Sequence, residues 1–165
     1  MTIRKVALKD AAQVTEIYNF YVLNSHHSFE QDAVTVDQMM DRIDAITESC
    51  PFLVYEEFDE IAGFAYATHY KPRSVCRHAV EVSVYIKTTA RKKGIGSRLY
   101  EKLFEEIDKM DVHAIIAGIS LPNDASIKLH EKFGFEKVAH FREVGFKMGR
   151  WVDVGYWEVI RDAKR

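Results

Sequence analysis

Ala79-Val80-Glu81-Val82-Ser83-Val84-Tyr85-Ile86 is the stretch on which the fold turns. Val80, Val82, Val84 and Ile86 recur with period two, which predicts a strand with one apolar face. The opposite face carries Glu81, Ser83 and Tyr85. An unpartnered buried carboxylate is costly, so a strand with only a structural task has little reason to place one there. Just downstream, Gly94 opens a helix whose Ile95, Leu99, Leu103, Phe104 and Ile107 form an apolar stripe, and a strand follows over Val112 to Ser120. That order is a β-α-β crossover.

Working outward, Thr2 to Ala7 alternates weakly like an edge strand. Asp10 with Gln13 predicts a capping box for a helix through Val14, Ile17, Tyr18 and Tyr21, ending near Asn24. Thr35 with Gln38 repeats the signature for a second helix through Met39, Met40, Ile43 and Ile46, stopped by Ser49 and Pro51. Phe52 to Glu57 and Ile61 to Tyr70 read as an antiparallel hairpin, and Lys71 to Arg77 as a basic loop. Asn123 caps a helix carrying Ile127, His130 and Phe133, which Gly134 ends before two aromatic strands at about Phe135 to Phe146 and Trp151 to Ile160. The expected class is α/β (α+β): a mixed, mostly antiparallel sheet of about seven strands flanked by about four helices, in one domain over residues 1–165.

With 47% hydrophobic and 29% charged residues among 165, the chain has the composition of one globular domain. A formal net charge of -2 provides no global field to collect nucleic acid or an anionic membrane surface. No apolar run approaches the roughly 20 residues needed to cross a bilayer. Met1 to Asp10 carries scattered charge instead of an apolar signal segment, and the only cysteines are Cys50 and Cys76, so a reduced, cytoplasmic setting is expected. The histidines lack the close spacing of a zinc site, and no metal is expected.

Arg91-Lys92-Lys93-Gly94-Ile95-Gly96 lies between the decisive strand and the first turn of a helix. Glycines let a ligand approach the backbone, the first helical N–H groups point outward, and the helix dipole favours an anion such as a pyrophosphate. It is not a Walker loop, and a basic turn with flexible glycines accounts for it equally well. The block Asn123-Asp124-Ala125-Ser126-Ile127-Lys128-Leu129-His130-Glu131-Lys132-Phe133-Gly134-Phe135 breaks the tie. Together the two motifs resemble the GNAT acetyltransferase superfamily, in which an Arg/Gln-x-x-Gly-x-Gly/Ala turn precedes, by one β-α unit, an Asn-led helix ending in Gly-Phe. Tyr18-Asn19-x-Tyr21-Val22-x-Asn24-Ser25, Phe29-Glu30, Lys71-Pro72-Arg73-Ser74, the Glu81 strand and Gly145-Phe146-Lys147-x-Gly149-Arg150-Trp151 look like its phosphinothricin and methionine sulfoximine acetyltransferase branch.

The resemblance implies an enzyme using acetyl-CoA as co-substrate. Its pantetheine arm would lie along Val84, Tyr85 and Ile86 like an added strand. Lys92, Lys93, Gly94, Ile95, Gly96 and Ser97 would cradle the pyrophosphate, and Asn123 would reach the pantetheine or its thiol end. Glu81 takes the place of the family's catalytic glutamate, and His130 the place where much of the superfamily carries a tyrosine that protonates the leaving thiolate. The acceptor would be a small amino-acid-like molecule, and the branch implies a homodimer.

The chemistry asks for such groups. An amine attacks a thioester only through its lone pair, so a carboxylate serves as general base. The resulting oxyanion needs a fixed donor, for which a backbone N–H of Val84 to Ile86 is the candidate. Lys71, Arg73 and Arg77 suit an acceptor carboxylate, while Phe29, Tyr21, Ser83 and Tyr85 are candidates to wall the acceptor pocket. Other readings stand beside these. Glu81 can be an ion-pair partner of Arg73, Arg77 or His78; His130 can be a hydrogen-bonded core residue; the basic loop can simply be solvated. At the level of function the competitors are an acetyltransferase acting on protein amino termini and a non-catalytic CoA-sensing domain.

Overall fold

The computed structural model describes residues 1–91 and 93–161. Strands β1 (Thr2–Lys5), β2 (Phe52–Glu57), β3 (Glu60–His69), β4 (Ala79–Ile86), β5 (Ala114–Leu121), β6 (Glu136–Lys147) and β7 (Arg150–Ile160) form one sheet in the order β1-β2-β3-β4-β5-β7-β6. Among the described residues only β4 and β5 run parallel, as the crossover through a helix requires. Among the described residues four α-helices cover the sheet: α1 (Ala11–Asn24), α2 (Val36–Thr47), α3 (Ile95–Ile107) and α4 (Asp124–Lys132). The expected class and architecture hold.

Each face of the sheet has its own core. Val80 and Val82 of β4 join Ile115, Ala117 and Ile119 of β5 beneath Leu99, Leu103 and Ile107 of α3, as the period-two and helical stripes dictate. On the reverse face Phe52, Val54 and Phe64 pack against Val14, Ile17 and Tyr18 of α1 and Met39 and Ile43 of α2. Glu81, Ser83 and Tyr85 point toward this second side, at the place where the helical cover ends.

The Thr35–Gln38 capping box forms in both directions, at 3.1 and 2.9 Å. The box expected at Asp10 and Gln13 does not. Asp10 accepts from Arg4 at 2.7 and 2.9 Å and from the amide of Ala7 at 2.8 Å. Gln13 instead accepts the amide of Ile61 at 2.8 Å across the fold. A charged donor outcompetes a backbone N–H for the carboxylate, and a distant orphan amide claims the glutamine.

Candidate active site

Strands β4 and β5 remain paired only from Ala79 to Glu81 with Ala114 to Ile116. Beyond that point β4 stays with β3 as far as Ile86, while β5 follows β7 to Leu121, so the two parallel strands part. Lys87 donates its amide to Ala62 at 2.8 Å, and every second residue of an antiparallel ladder repeats that orientation. The backbone groups of Tyr85 therefore turn toward β3, and those of Val84 and Ile86 toward the gap. Tyr21 Oη donates to the Ile86 carbonyl at 2.5 Å, leaving the two amides and the Val84 carbonyl at an open edge. Of the three residues expected to bond an added strand through the backbone, Tyr85 belongs to the β3 ladder instead. Its ring lines the gap, packed edge-on against Tyr18 and Tyr21 and stacked on Phe64.

The gap continues into a cleft of about 660 Å³ that runs from β4 to the start of α3 and along α4. Gly94 caps α3 at φ +74°, a left-handed conformation that favours glycine. A Cβ on Gly96 would meet Leu129 Cδ2 at 3.2 Å, so this glycine lets α4 close against α3. Gly94, Ile95, Gly96 and Ser97 line the cleft with the outward N–H groups of a helix start. Lys93 is exposed and does not line it, and Lys92 lies outside the described residues. The cations that do reach the cleft are Arg91, set over the Tyr21 ring, together with Lys128 and Lys132, the last donating to Ser97 Oγ at 3.0 Å.

Glu81 stands at the root of the fork, half-buried, and its carboxylate makes no hydrogen bond or ion pair among the described residues. Two of the partners the sequence offered are engaged elsewhere: His78 pairs with Asp111 at 3.2 Å, and Arg77 donates to the Ser74 carbonyl. Burial raises the Glu81 carboxyl above its ordinary value, with no partner to draw it back. Gly118 of β5 makes room for it, since a Cβ there would lie 3.3 Å from Glu81 Oε1 and 3.2 Å from the Tyr156 ring. Ser83 lines the cleft one turn of the pleat along the same face.

His130 is 3% exposed and fully bonded. Its Nδ1 lies 2.7 Å from the Ser126 carbonyl, which can only accept, so the proton sits on Nδ1 and Nε2 accepts from Tyr100 Oη at 2.8 Å. Burial lowers its affinity for a second proton, offset in part by the Ser126 carbonyl. As placed, His130 is a neutral imidazole that fixes the Tyr100 hydroxyl in the cleft wall and has no proton ready for a departing thiolate. Asn123 lines the cleft and spends its Oδ1 on the α4 cap, accepting from the Ser126 amide at 3.3 Å.

A second cavity of about 360 Å³ opens on the Glu81 side of the sheet, between the loop after α1 and the β6–β7 hairpin. Phe29, Phe141, Phe146, Val154 and Tyr156 wall it, and Ser120 belongs to both cavities. Phe29 is the one residue of the expected acceptor wall that lines this second cavity. Lys71 and Arg73 line neither cavity: they are exposed on the loop that enters β4, with Lys71 Nζ over the Tyr70 ring. Among residues not singled out from the sequence, Gly118, Ser120, Tyr156 and Tyr100 form the floor. The one available signal was Gly118, a glycine inside a β-branched strand, which marks the close approach of another group.

Among the described residues no helix is long and apolar enough to cross a membrane, and no group of three His, Cys, Asp or Glu residues is placed to hold a metal. Residues 3–155 match the family model described as the acetyltransferase (GNAT) domain. A phosphinothricin N-acetyltransferase of Streptomyces viridochromogenes is 34% identical over 156 residues, covering 94% of this chain and 85% of the relative. An L-methionine sulfoximine/L-methionine sulfone acetyltransferase of Salmonella typhimurium is 34% identical over 163 residues, covering 98% and 95%. Among solved structures, the Salmonella typhimurium yncA protein with acetyl-CoA superposes with a TM-score of 0.96 at 34% identity, over 100% of this chain and 96% of that one. A ribosomal-protein-alanine N-acetyltransferase from Brucella melitensis gives 0.94 at 33%, over 98% and 100%. An open β4 edge leading to a glycine-capped helix start, and a family match spanning nearly the whole chain, lead to one conclusion: the protein belongs to the GNAT acetyltransferase family.

Proposed function

We propose that this chain, acting as one domain, transfers the acetyl group of acetyl-CoA to the α-amine of a small amino acid with a methionine- or glutamate-like side chain. The observation that carries the reading is Glu81: an unpaired, partly buried carboxylate at the root of an open strand edge. Its raised proton affinity brings it closer to the proton it must take from an ammonium group, directly or through a water. The lone pair then attacks the thioester carbonyl, the N–C bond forms, and the oxyanion is met by the Val84 N–H that faces the gap. Collapse breaks the C–S bond. A thiolate of reference pKa about 8.5 is a tolerable leaving group, and the second proton, given up by the nitrogen as the amide forms, passes through solvent to the departing sulfur. His130 therefore acts by position, holding Tyr100 in the wall, and Asn123 orients the start of α4 beside the thiol end.

The pyrophosphate falls to the amides of Gly94 to Ser97, with Lys92 and Lys93 supplying charge alongside Arg91, Lys128 and Lys132. The acceptor side chain enters the second cavity beside Phe29, Ser83 lies on the cleft side near the amine, and Lys71 and Arg73, outside both cavities, draw the acceptor carboxylate toward the mouth of β4 by their charge. Phe141, Val144 and Phe146 are half exposed or more while lining that cavity. Their exposure supports a homodimer in which the partner covers the hairpin and closes the pocket. The reading places the enzyme in the cytoplasm, as a detoxifying activity toward amino-acid analogues, with no nucleic-acid or membrane partner.

The reading to be separated from it is acetylation of a protein amino terminus, raised by the ribosomal-protein-alanine N-acetyltransferase neighbour. A mass-spectrometric screen of free amino acids, methionine sulfone, phosphinothricin and alanine- or serine-led peptides with acetyl-CoA separates the two. Acetylation confined to the free amino acids is expected. Acetylation of peptides alone would overturn the proposal, and acetyl-CoA binding with no product would make the domain a sensor.

A further inference from the structure

We infer that Ser120 selects the acceptor by donating a hydrogen bond to an oxygen on its side chain, an assignment that rests on the acceptor class proposed above. Ser120 is 3% exposed, and its Oγ has no hydrogen-bond partner among the described residues. Buried hydroxyls are almost always satisfied, because leaving one unbonded forfeits the water it gave up. The same cavity also carries His26, Ser28, Gln31, Lys147 and Tyr156, and none of them bonds to Ser120 Oγ. Its cross-strand partner is Val154, and Phe29, Phe141, Phe146 and Val152 line the same cavity. Alanine would fill the same volume without the penalty.

Its place in the fold indicates which atom it meets. Residues Ile115, Ala117 and Ile119 of β5 point into the core under α3, so Gly118 and Ser120 point the other way, toward Glu81 and Tyr156. Gly118 sits against the Glu81 carboxylate, and Ser120 lies two residues farther along the strand, about 7 Å on. Ser120 alone of these floor residues lines both cavities. An α-amine held at Glu81 with its side chain directed into the second cavity therefore carries the distal atoms of a methionine- or glutamate-length side chain past the Ser120 hydroxyl. A sulfone, sulfoximine or phosphinate oxygen there accepts strongly, whereas a thioether sulfur accepts weakly. A site built to hydrogen-bond a ligand group discriminates against the analogue that lacks it.

The test compares kcat/KM for L-methionine sulfone and L-methionine, which share a skeleton and differ only in the side-chain oxygens, in the wild-type protein and in Ser120→Ala. The ratio of sulfone to methionine is expected to fall about tenfold in the variant, carried by KM for the sulfone. The melting temperature of the ligand-free variant is expected to match or exceed the wild-type value, since an unsatisfied group has been removed. An unchanged ratio overturns the assignment, and so does a variant that melts several degrees lower, because the hydroxyl would then serve the fold. If the wild-type protein turns over neither amino acid, the proposed acceptor class fails and this assignment fails with it.

Discussion

Asp10 and Glu81 are both carboxylates that the fold withdraws from water, and it treats them in opposite ways. Asp10 is 4% exposed and receives three hydrogen bonds, two from Arg4 and one from the Ala7 amide, while Arg4 reaches on to Glu56 at 2.6 Å. The Arg4 guanidinium holds the Asp10 carboxyl below its ordinary value. Glu81 has no such partner among the described residues, and burial pushes it the other way. The first arrangement locks β1 and the start of α1 to β2. The second leaves an unpaired carboxylate at the fork of β4 and β5, at some cost to the fold. Satisfied charge marks structure in this molecule, and unsatisfied charge marks the site.

The sharpest way to break that comparison is Asp10→Asn. Losing the charge facing Arg4 is expected to destabilise the protein by about 2 to 3 kcal/mol, toward the low end for a buried pair because Arg4 keeps some water. Urea denaturation reads the loss directly, and a change below about 0.5 kcal/mol would place Asp10 with ordinary surface carboxylates. The pH dependence has a fixed sign. Because the folded-state value is depressed, the contribution is fully present above the ordinary value near 3.8 and is lost as pH falls through the lower folded value. Wild-type and variant stabilities should therefore converge in acid.

Gly118→Ala tests the room made for Glu81. A methyl 3.3 Å from Oε1 and 3.2 Å from the Tyr156 ring forces one of them aside. With Glu81 as the proposed base, turnover is expected to drop about tenfold, since displacing such a group by a fraction of an ångström is costly. Steady-state kinetics that match wild type would show that Glu81 does not need its present position.

The smallest effect is the most diagnostic of cost. Removing the Glu81 charge with Glu81→Gln is expected to raise stability at pH 7 by about 0.5 kcal/mol, at the low end of stabilising substitutions because the group is partly screened by water. The sign follows from its raised value. The folded state holds the Glu81 proton more tightly, so the charge penalises folding above the folded value and the penalty vanishes below the ordinary 4.5. Thermal melts at pH 7 and pH 4 should show the gain and its disappearance, and a less stable variant at pH 7 would mean that Glu81 has a partner.

Much of the fold was legible because its signals are local. The alternation of Val80, Val82, Val84 and Ile86, the stripe from Ile95 to Ile107, the Thr35–Gln38 box and the Asn123 cap all report interactions within a few residues. Asp10 and Gln13 carry the same local pattern as Thr35 and Gln38, yet partners from β1 and from Ile61 claim them, and nothing nearby in the chain announces that competition. The fork of β4 and β5 was likewise invisible, because a parallel register has no local marker. Glu81 could be picked out as an acid on an otherwise apolar strand, but its lack of a partner depends on where His78 and Arg77 turn. Lys71 and Arg73 were recognisable as a basic loop, and only the folded chain shows them standing outside both cavities. Ser120 carries no sequence signal at all, since an unmet hydroxyl is defined only by what surrounds it.

The central claim is that Glu81 takes the proton from the attacking amine, and the most direct measurement is the turnover of Glu81→Gln with methionine sulfone beside its affinity for acetyl-CoA. The expected result is a kcat lower by about a hundredfold, in the range for loss of a general base, with the Kd for acetyl-CoA within about twofold of wild type. Undiminished turnover, or a loss of cofactor binding as large as the loss of rate, would contradict it.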